Sequence, residues 1–322
     1  MKAKIIRLLF FLIVLSGLGL ALLAWDDFAR FRSSTTNSVI IEKGTSLRRI
    51  TYQLAGSGII ERPLYLELIL RLHEHMGSKI IAGEYEIPAG SDYIDIANLL
   101  ASGNVKQHLI TIPEGSTIRQ IIEIVNRADG LSGELNTQDF KEGYYLPQTY
   151  AYTYGDTRLS ILKRMNTALV GLANKLKIED GKLHEVLTLA SIIEKETPRD
   201  AEKPFVASVY HNRLKRGMRL QADPTLVYYL NDVLGKNTNR LYHSQLKLDT
   251  PYNTYKYYGL PPTPIANPSK ASICAALIPL KTNYYYFVAD GNGGHIFTND
   301  YKNHVDNVNN YRNTNYFKDN FK

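Results

Sequence analysis

The hydrophobic pattern opens with an uninterrupted apolar run. Lys2, Lys4 and Arg7 precede it, and no charged residue occurs from Leu8 to Trp25. Extended back to Ile5, the run is about long enough to cross a bilayer core as a helix. It is apolar on every face, unlike a surface helix of a globular domain. Basic residues lie before it and Asp26 and Asp27 after it, which predicts a single-pass anchor with a cytoplasmic N-terminus and an exported remainder. The alternative, a cleaved signal ending at Gly19-Leu20-Ala21, also exports the rest. Residues 31–38 are polar, without periodic apolar positions, and read as a tether.

Beyond the tether the pattern repeats. Ile41-Glu-Lys-Gly-Thr-Ser-Leu-Arg-Arg-Ile50 aligns with Ile112-Pro-Glu-Gly-Ser-Thr-Ile-Arg-Gln-Ile121, and more faintly with Ile87-Pro-Ala-Gly-Ser-Asp-Tyr-Ile-Asp-Ile96. Each copy predicts a short strand, a glycine turn, a Ser, Thr or Asp helix cap, and apolar residues at helical spacing. Pro63 opens another helix, with Leu64, Leu68, Ile69 and Leu72 on one face. The order from 39 to 87 is thus strand, helix, helix, strand, inside a repeat region over 39–130. An irregular join rich in Gly, Tyr and Pro covers 131–156. A second domain follows over 157–322, with helices carrying Leu159, Ile161, Leu162, Met165 and Leu169, then Leu183 to Glu196. Farther on, Tyr284–Ala289 reads as a buried strand and Asp290–Gly294 as a turn into Ile296–Thr298. Val305, Val308 and Tyr311 mark a final helix. Helices and strands segregate rather than alternate, which makes the fold class α+β.

Composition narrows the function. The 322 residues carry 38 basic and 31 acidic side chains, a formal charge of +7 that is scattered rather than clustered, which argues against nucleic acid. A single cysteine, Cys274, excludes an internal disulfide, a Cys-based zinc site and an iron–sulfur cluster. The histidines offer no metal-ligand spacing, since His73 and His75 sit two apart and His295 and His304 lack a third ligand. No glycine pattern for nucleotides stands in a strand–helix context, so no cofactor is expected.

The densest polar cluster is Leu187-Thr-Leu-Ala-Ser-Ile-Ile-Glu-Lys-Glu-Thr-Pro198. Glu194 and Glu196, two apart on a helix, point to different sides and cannot act as a close pair. Glu194 sits one turn after Ala190 and Ser191, whose small side chains leave room for a substrate. Pro198 ends the helix soon afterwards, which places Glu194 near the negative end of the dipole. That environment, with partial burial, is expected to keep a carboxyl protonated, as a general acid requires. A solvated helix end is the alternative. Gln221 and Asp223 follow a glycine turn and suit hydrogen bonds to sugar groups. Tyr252, Asn253, Thr254 and Tyr255 offer rings and polar groups to a glycan. Ten of the 23 tyrosines lie between Tyr228 and Tyr286, as a carbohydrate-facing cleft would have them.

Five ordered blocks carry a resemblance. They are Ala190–Thr197, Val206–Leu214, Met218–Thr225, Tyr252–Tyr255 and Gly259–Ile265, and Phe287–His295 continues the match. Together with the N-terminal anchor they resemble the YceG-like endolytic murein transglycosylases over nearly the whole chain. The βααβ region resembles a LysM module, a small glycan-binding fold. One departure is Gln148, where that family usually has Asp. The resemblance implies a LysM-like subdomain before a mixed α/β catalytic domain outside the inner membrane, with peptidoglycan glycan strands as substrate and peptidoglycan synthases as partners. It also implies that Glu194 is the catalytic acid/base and that the β-1,4 bond after N-acetylmuramic acid is cut without water, giving a 1,6-anhydro end. Readings left beside it are a non-catalytic wall-binding protein and a hydrolase pairing Glu194 with Asp223.

Overall fold

The computed structural model describes residues 2–238 and 241–313. Two compact units divide it, the first built from residues up to 108 with 129–131 and 151–156, the second from 109–128, 132–150 and 157 onward. The Ile112 repeat copy therefore belongs to the second unit, whereas the sequence pattern groups it with the first.

In the first unit, helix α1 (Lys2–Arg30) contains Leu9–Arg30, with a mean hydropathy of 2.1 and no buried residue in its apolar window. It is long and apolar enough to cross a membrane. Its last turn is tied down by Asp27 Oδ2, which accepts from Arg62 Nε at 3.0 Å, and by Phe28, which stacks on Tyr93 at 5.5 Å. Strand β1 (Asn37–Ile41) leads to α2 (Leu47–Gly56), α3 (Pro63–His75) and β2 (Gly83–Ile87), and α4 (Tyr93–Ser102) follows. β1 and β2 pair antiparallel with Val39 opposite Tyr85, giving the expected strand, helix, helix, strand order. The caps form as the sequence predicts: Ser46 accepts from Arg49 N, and Asp92 with Asp95 makes a capping box. The core gathers Val39, Ile50, Leu54, Leu66, Leu70, Tyr85, Ile96 and Leu100. The expected inward face of α3 is corrected here. Leu64, Leu68 and Leu72 are exposed and Leu66 and Leu70 are buried. Both sets obey the i, i+4 spacing, and only packing against α2 and α4 chooses between them.

Strand β3 (Gln107–Thr111), helix α5 (Ile118–Arg127) and strand β4 (Thr149–Thr153) come next, with β3 and β4 forming a two-stranded sheet. The expected irregular join thus holds a strand and buries Leu131, Tyr145, Leu146, Tyr150 and Tyr152. Helices α6 (Arg158–Lys175), α7 (Asp180–Glu196) and α8 (Lys203–Lys215) follow, then the short α9 (Asp223–Tyr228) and α10 (Lys270–Leu277). The core of the second unit lies where α7 packs on α8 and α10 through Leu187, Ala190, Ile193, Val206, Tyr210, Ile273 and Ala276. A hairpin of β5 (Tyr286–Ala289) and β6 (His295–Thr298), with Phe287 opposite Phe297, packs against α11 (Tyr301–Arg312). β5 is half-buried along its length, not a buried strand as its apolar run suggests, because its one neighbouring strand is β6 and it belongs to no wider sheet.

Candidate active site

Glu194 and Glu196 occupy the last turn of α7, so their side chains leave the axis roughly 200° apart. The Glu194 side chain is 6% exposed. Its Oε2 accepts from Ser269 N at 2.9 Å, Ser269 Oγ at 2.5 Å and Ser272 Oγ at 2.6 Å, and its Oε1 faces Lys203 Nζ at 3.3 Å. Lys203 is itself buried and reaches Asp200 at 2.7 Å and Ser269 Oγ at 3.1 Å. The space over Ala190 and Ser191, expected to admit substrate, is filled by the chain. Ile265 N donates to Ser191 Oγ at 3.0 Å, and buried Asn267 spans Ser116 O, Glu142 Oε1 and Tyr145 N. Gly115 closes this side at a φ of +70, and a Cβ there would stand 3.3 Å from Glu194 Cγ. The neighbouring Glu114 carboxyl is held above its usual range by desolvation and the Glu194 charge. Glu194 is therefore clasped by hydrogen bonds and an ion pair, and lacks the open approach expected of it.

Glu196 faces the other way, into a cavity of about 430 Å³. Tyr210, Arg213, Gln221, Asp223, Tyr255 and His304 are among its walls. Burial pushes the Glu196 carboxyl up to about 7, the Asp223 charge adds to that, and the Tyr210 hydroxyl, donating to Oε1 at 2.7 Å, opposes it with Arg213. Among the described residues, Arg213 meets no carboxylate within ion-pair distance. It donates instead to Leu220 O at 2.6 Å and Tyr285 O at 2.7 Å, with its guanidinium over the Tyr286 ring. The site is assembled from the end of α7, the face of α8, the turn before α9, the Tyr252–Tyr255 loop, β5 and α11.

The structure brings together three of the seven residues singled out from sequence. Gln221, held at a left-handed φ of 50, Asp223 and Tyr255 share the Glu196 cavity, and the Tyr255 hydroxyl donates to Asp223 Oδ1. The other placements are corrections. Asn253 is buried and gives both amide hydrogens to Leu246 O and Leu248 O, because a tight loop must satisfy its own carbonyls. Thr254 is buried and binds Ala222 N and Thr225 Oγ1. Tyr252 packs against Tyr228 and Tyr229 and pairs with Thr263 Oγ1 at 2.8 Å, off the Glu196 cavity. Of the ten clustered tyrosines, Tyr255 alone lines that cavity. Gln148 is exposed, and its backbone carbonyl accepts from Ile112 N.

Sequence reasoning passed over Glu196, gave Tyr210 no role, and weighed His304 only as a metal ligand. The signal was available in part: Tyr210 and Arg213 lie three apart on one helix, inside a block that carries the resemblance. Among the described residues, no group of three or more His, Cys, Asp or Glu is arranged to hold a metal ion.

Comparison with known proteins agrees with this arrangement of elements. The YceG-like family model matches residues 39–310. An endolytic murein transglycosylase of Bacillus subtilis strain 168 is 32% identical, with 84% of each chain covered. One of Streptococcus pneumoniae serotype 2 is 26% identical over 84% of this chain and 57% of its own. The crystal structure of a yceG-like protein of Listeria monocytogenes is 28% identical and superposes with a TM-score of 0.50, covering 85% of this chain and 99% of that one. A match running from the first strand to the last helix makes this chain a member of the YceG-like family.

Proposed function

We propose that the protein is a lytic transglycosylase that cuts peptidoglycan glycan strands, with Glu196 as its acid and base. The observation that carries this reading is a carboxyl poised at about 7 on the wall of a polar cavity, where a proton donor at neutral pH is needed. The names of the relatives, endolytic murein transglycosylase, support the substrate class. Glu196 donates its proton to the leaving glycosidic oxygen of the bond after N-acetylmuramic acid. The resulting carboxylate then takes a proton from the 6-hydroxyl of the same sugar, which closes a 1,6-anhydro ring. Because the nucleophile is part of the substrate, its effective concentration is large and no second carboxylate is required to activate water. Gln221 and Tyr255 supply hydrogen-bonding groups to the sugar beside it. Glu194, the acid expected from sequence, serves in this proposal to fix the end of α7.

Asp223 favours a second reading. It shares the cavity with Glu196, so it could activate water and make the reaction a two-carboxylate hydrolysis. Digestion of purified sacculi by the detergent-solubilised full chain separates the two, because anhydro products are lighter by one water. Hydrolytic masses would overturn the lytic mechanism, and strands bound but never shortened would overturn enzymatic function altogether. The proposal also includes a LysM-like role in glycan binding for the βααβ unit, supported by its element order, and a cytoplasmic N-terminus with the remainder outside the membrane, supported by Lys2, Lys4 and Arg7. Association with peptidoglycan synthases rests on the family resemblance.

A further inference from the structure

A second cleft, of about 390 Å³, lies against the Glu196 cavity, and Asp223 lines both. Its walls include Thr117, Arg119, Lys195, Asn231 and Asp232. Two of these charges cancel, since Arg119 Nε pairs with Asp232 Oδ1 at 3.0 Å. Lys195 is different. Its residue is exposed, its Nζ reaches the Gly115 carbonyl at 3.2 Å, and among the described residues no carboxylate stands within ion-pair distance of it. Lys195 and Glu196 are consecutive on α7, so their side chains diverge by roughly 100°, one into each cavity. An ammonium on the wall of a cleft with no carboxylate in ion-pair contact, next to a site that would hold a muramyl sugar, calls for an anion carried by that sugar's substituent.

We infer that this cleft is a subsite for the peptide borne by the muramyl residue, with Lys195 binding a carboxylate of that peptide. The inference rests on the proposed glycan substrate. It assigns to Lys195 a specificity that the acid–base chemistry does not need. A carboxylate there completes a charge-assisted hydrogen bond that the chain leaves unmade. The hydroxyl and amide groups along the cleft suit a peptide rather than an acyl chain.

The test measures binding and cutting separately. Full-length Glu196→Gln protein in detergent is titrated with glycan strands bearing their peptides and with the same strands stripped by an amidase. The expected result is a preference of about tenfold for peptide-bearing strands. Adding Lys195→Gln should reduce that preference to less than about twofold, and Lys195→Arg should keep most of it. Equal affinity for both strands in the parent, or a preference that survives Lys195→Gln, overturns the subsite. Esterified stems should behave as stripped strands do, and undiminished binding of the esters overturns the carboxylate assignment. Cutting by the wild-type chain is read apart from this. Its absence refutes the proposed function, whereas the binding ratio alone decides the subsite.

Discussion

Glu194 and Glu196 are two residues apart in sequence and face opposite surroundings. The first is clasped by Ser269, Ser272 and Lys203, and the second shares a hydrogen bond with Tyr210 on the wall of an open cavity. Similar carboxyls on one helical turn thus have different environments. The difference comes from the elements packed on each side, α10 and its preceding loop on one and the middle of α8 on the other.

Substitution separates the two roles. Glu196→Gln should lower lytic activity by about 10²–10⁴-fold, the usual contribution of general acid–base catalysis, while the thermal midpoint is retained. Wild-type activity should fall as pH rises through about 7, where the donor loses its proton. Measuring rates of anhydro-product release across pH for both proteins checks this, and full activity in Glu196→Gln would remove it from the mechanism.

Lys203 should matter for folding. It is 1% exposed and neutralises Glu194, so Lys203→Met leaves a buried carboxylate without its cation. A loss of about 3–5 kcal/mol is expected from breaking such a pair. Urea unfolding of variant and wild type gives the number, and a variant as stable as wild type would show that the pair contributes nothing net.

Glu142 makes stability depend on pH. Its buried carboxyl, which accepts from Ile118 N and Asn267 Nδ2, is pushed by burial from an ordinary 4.5 up to about 8. A folded value above the unfolded one gives stability that is fully present below about 4.5 and is lost as pH rises through about 8. The melting temperature should therefore decline between pH 5 and about 9. Glu142→Gln should flatten the decline, and an unchanged slope in that variant would place its origin elsewhere.

Gln221 holds a left-handed φ of 50, which costs a residue with a side chain roughly 1–3 kcal/mol. Gln221→Gly relieves that strain but loosens the unfolded chain, so stability should change by less than about 2 kcal/mol. Activity should fall at least tenfold, or about 1.4 kcal/mol, as the amide leaves the cavity. Calorimetry beside sacculus digestion tests both halves, and unimpaired digestion would assign Gln221 to the turn alone.

Much of this arrangement could be read from residue order. The repeated glycine turns and caps forecast α2, α4 and α5, because a cap and its helix are neighbours in the chain. The end of α7 at Glu196 was legible from Pro198 for the same reason. What residue order did not settle was which side of an element the rest of the fold covers. The exposed stripe of α3, the burial of Thr254 and the surroundings of Glu194 all turned on partners well separated in sequence.

Sequence by itself determined the apolar N-terminal helix, the caps, the βααβ order and the end of α7, since each depends on interactions within a few residues. Tertiary structure alone decided which acid is available. Ser269 and Ser272 reach Glu194 from 75 and 78 residues away, and Tyr210 reaches Glu196 from the next helix. Local spacing can say that two carboxyls diverge, but the difference between a clasped carboxyl and one raised towards neutrality on a cavity wall comes from desolvation and hydrogen bonds that only folding brings together.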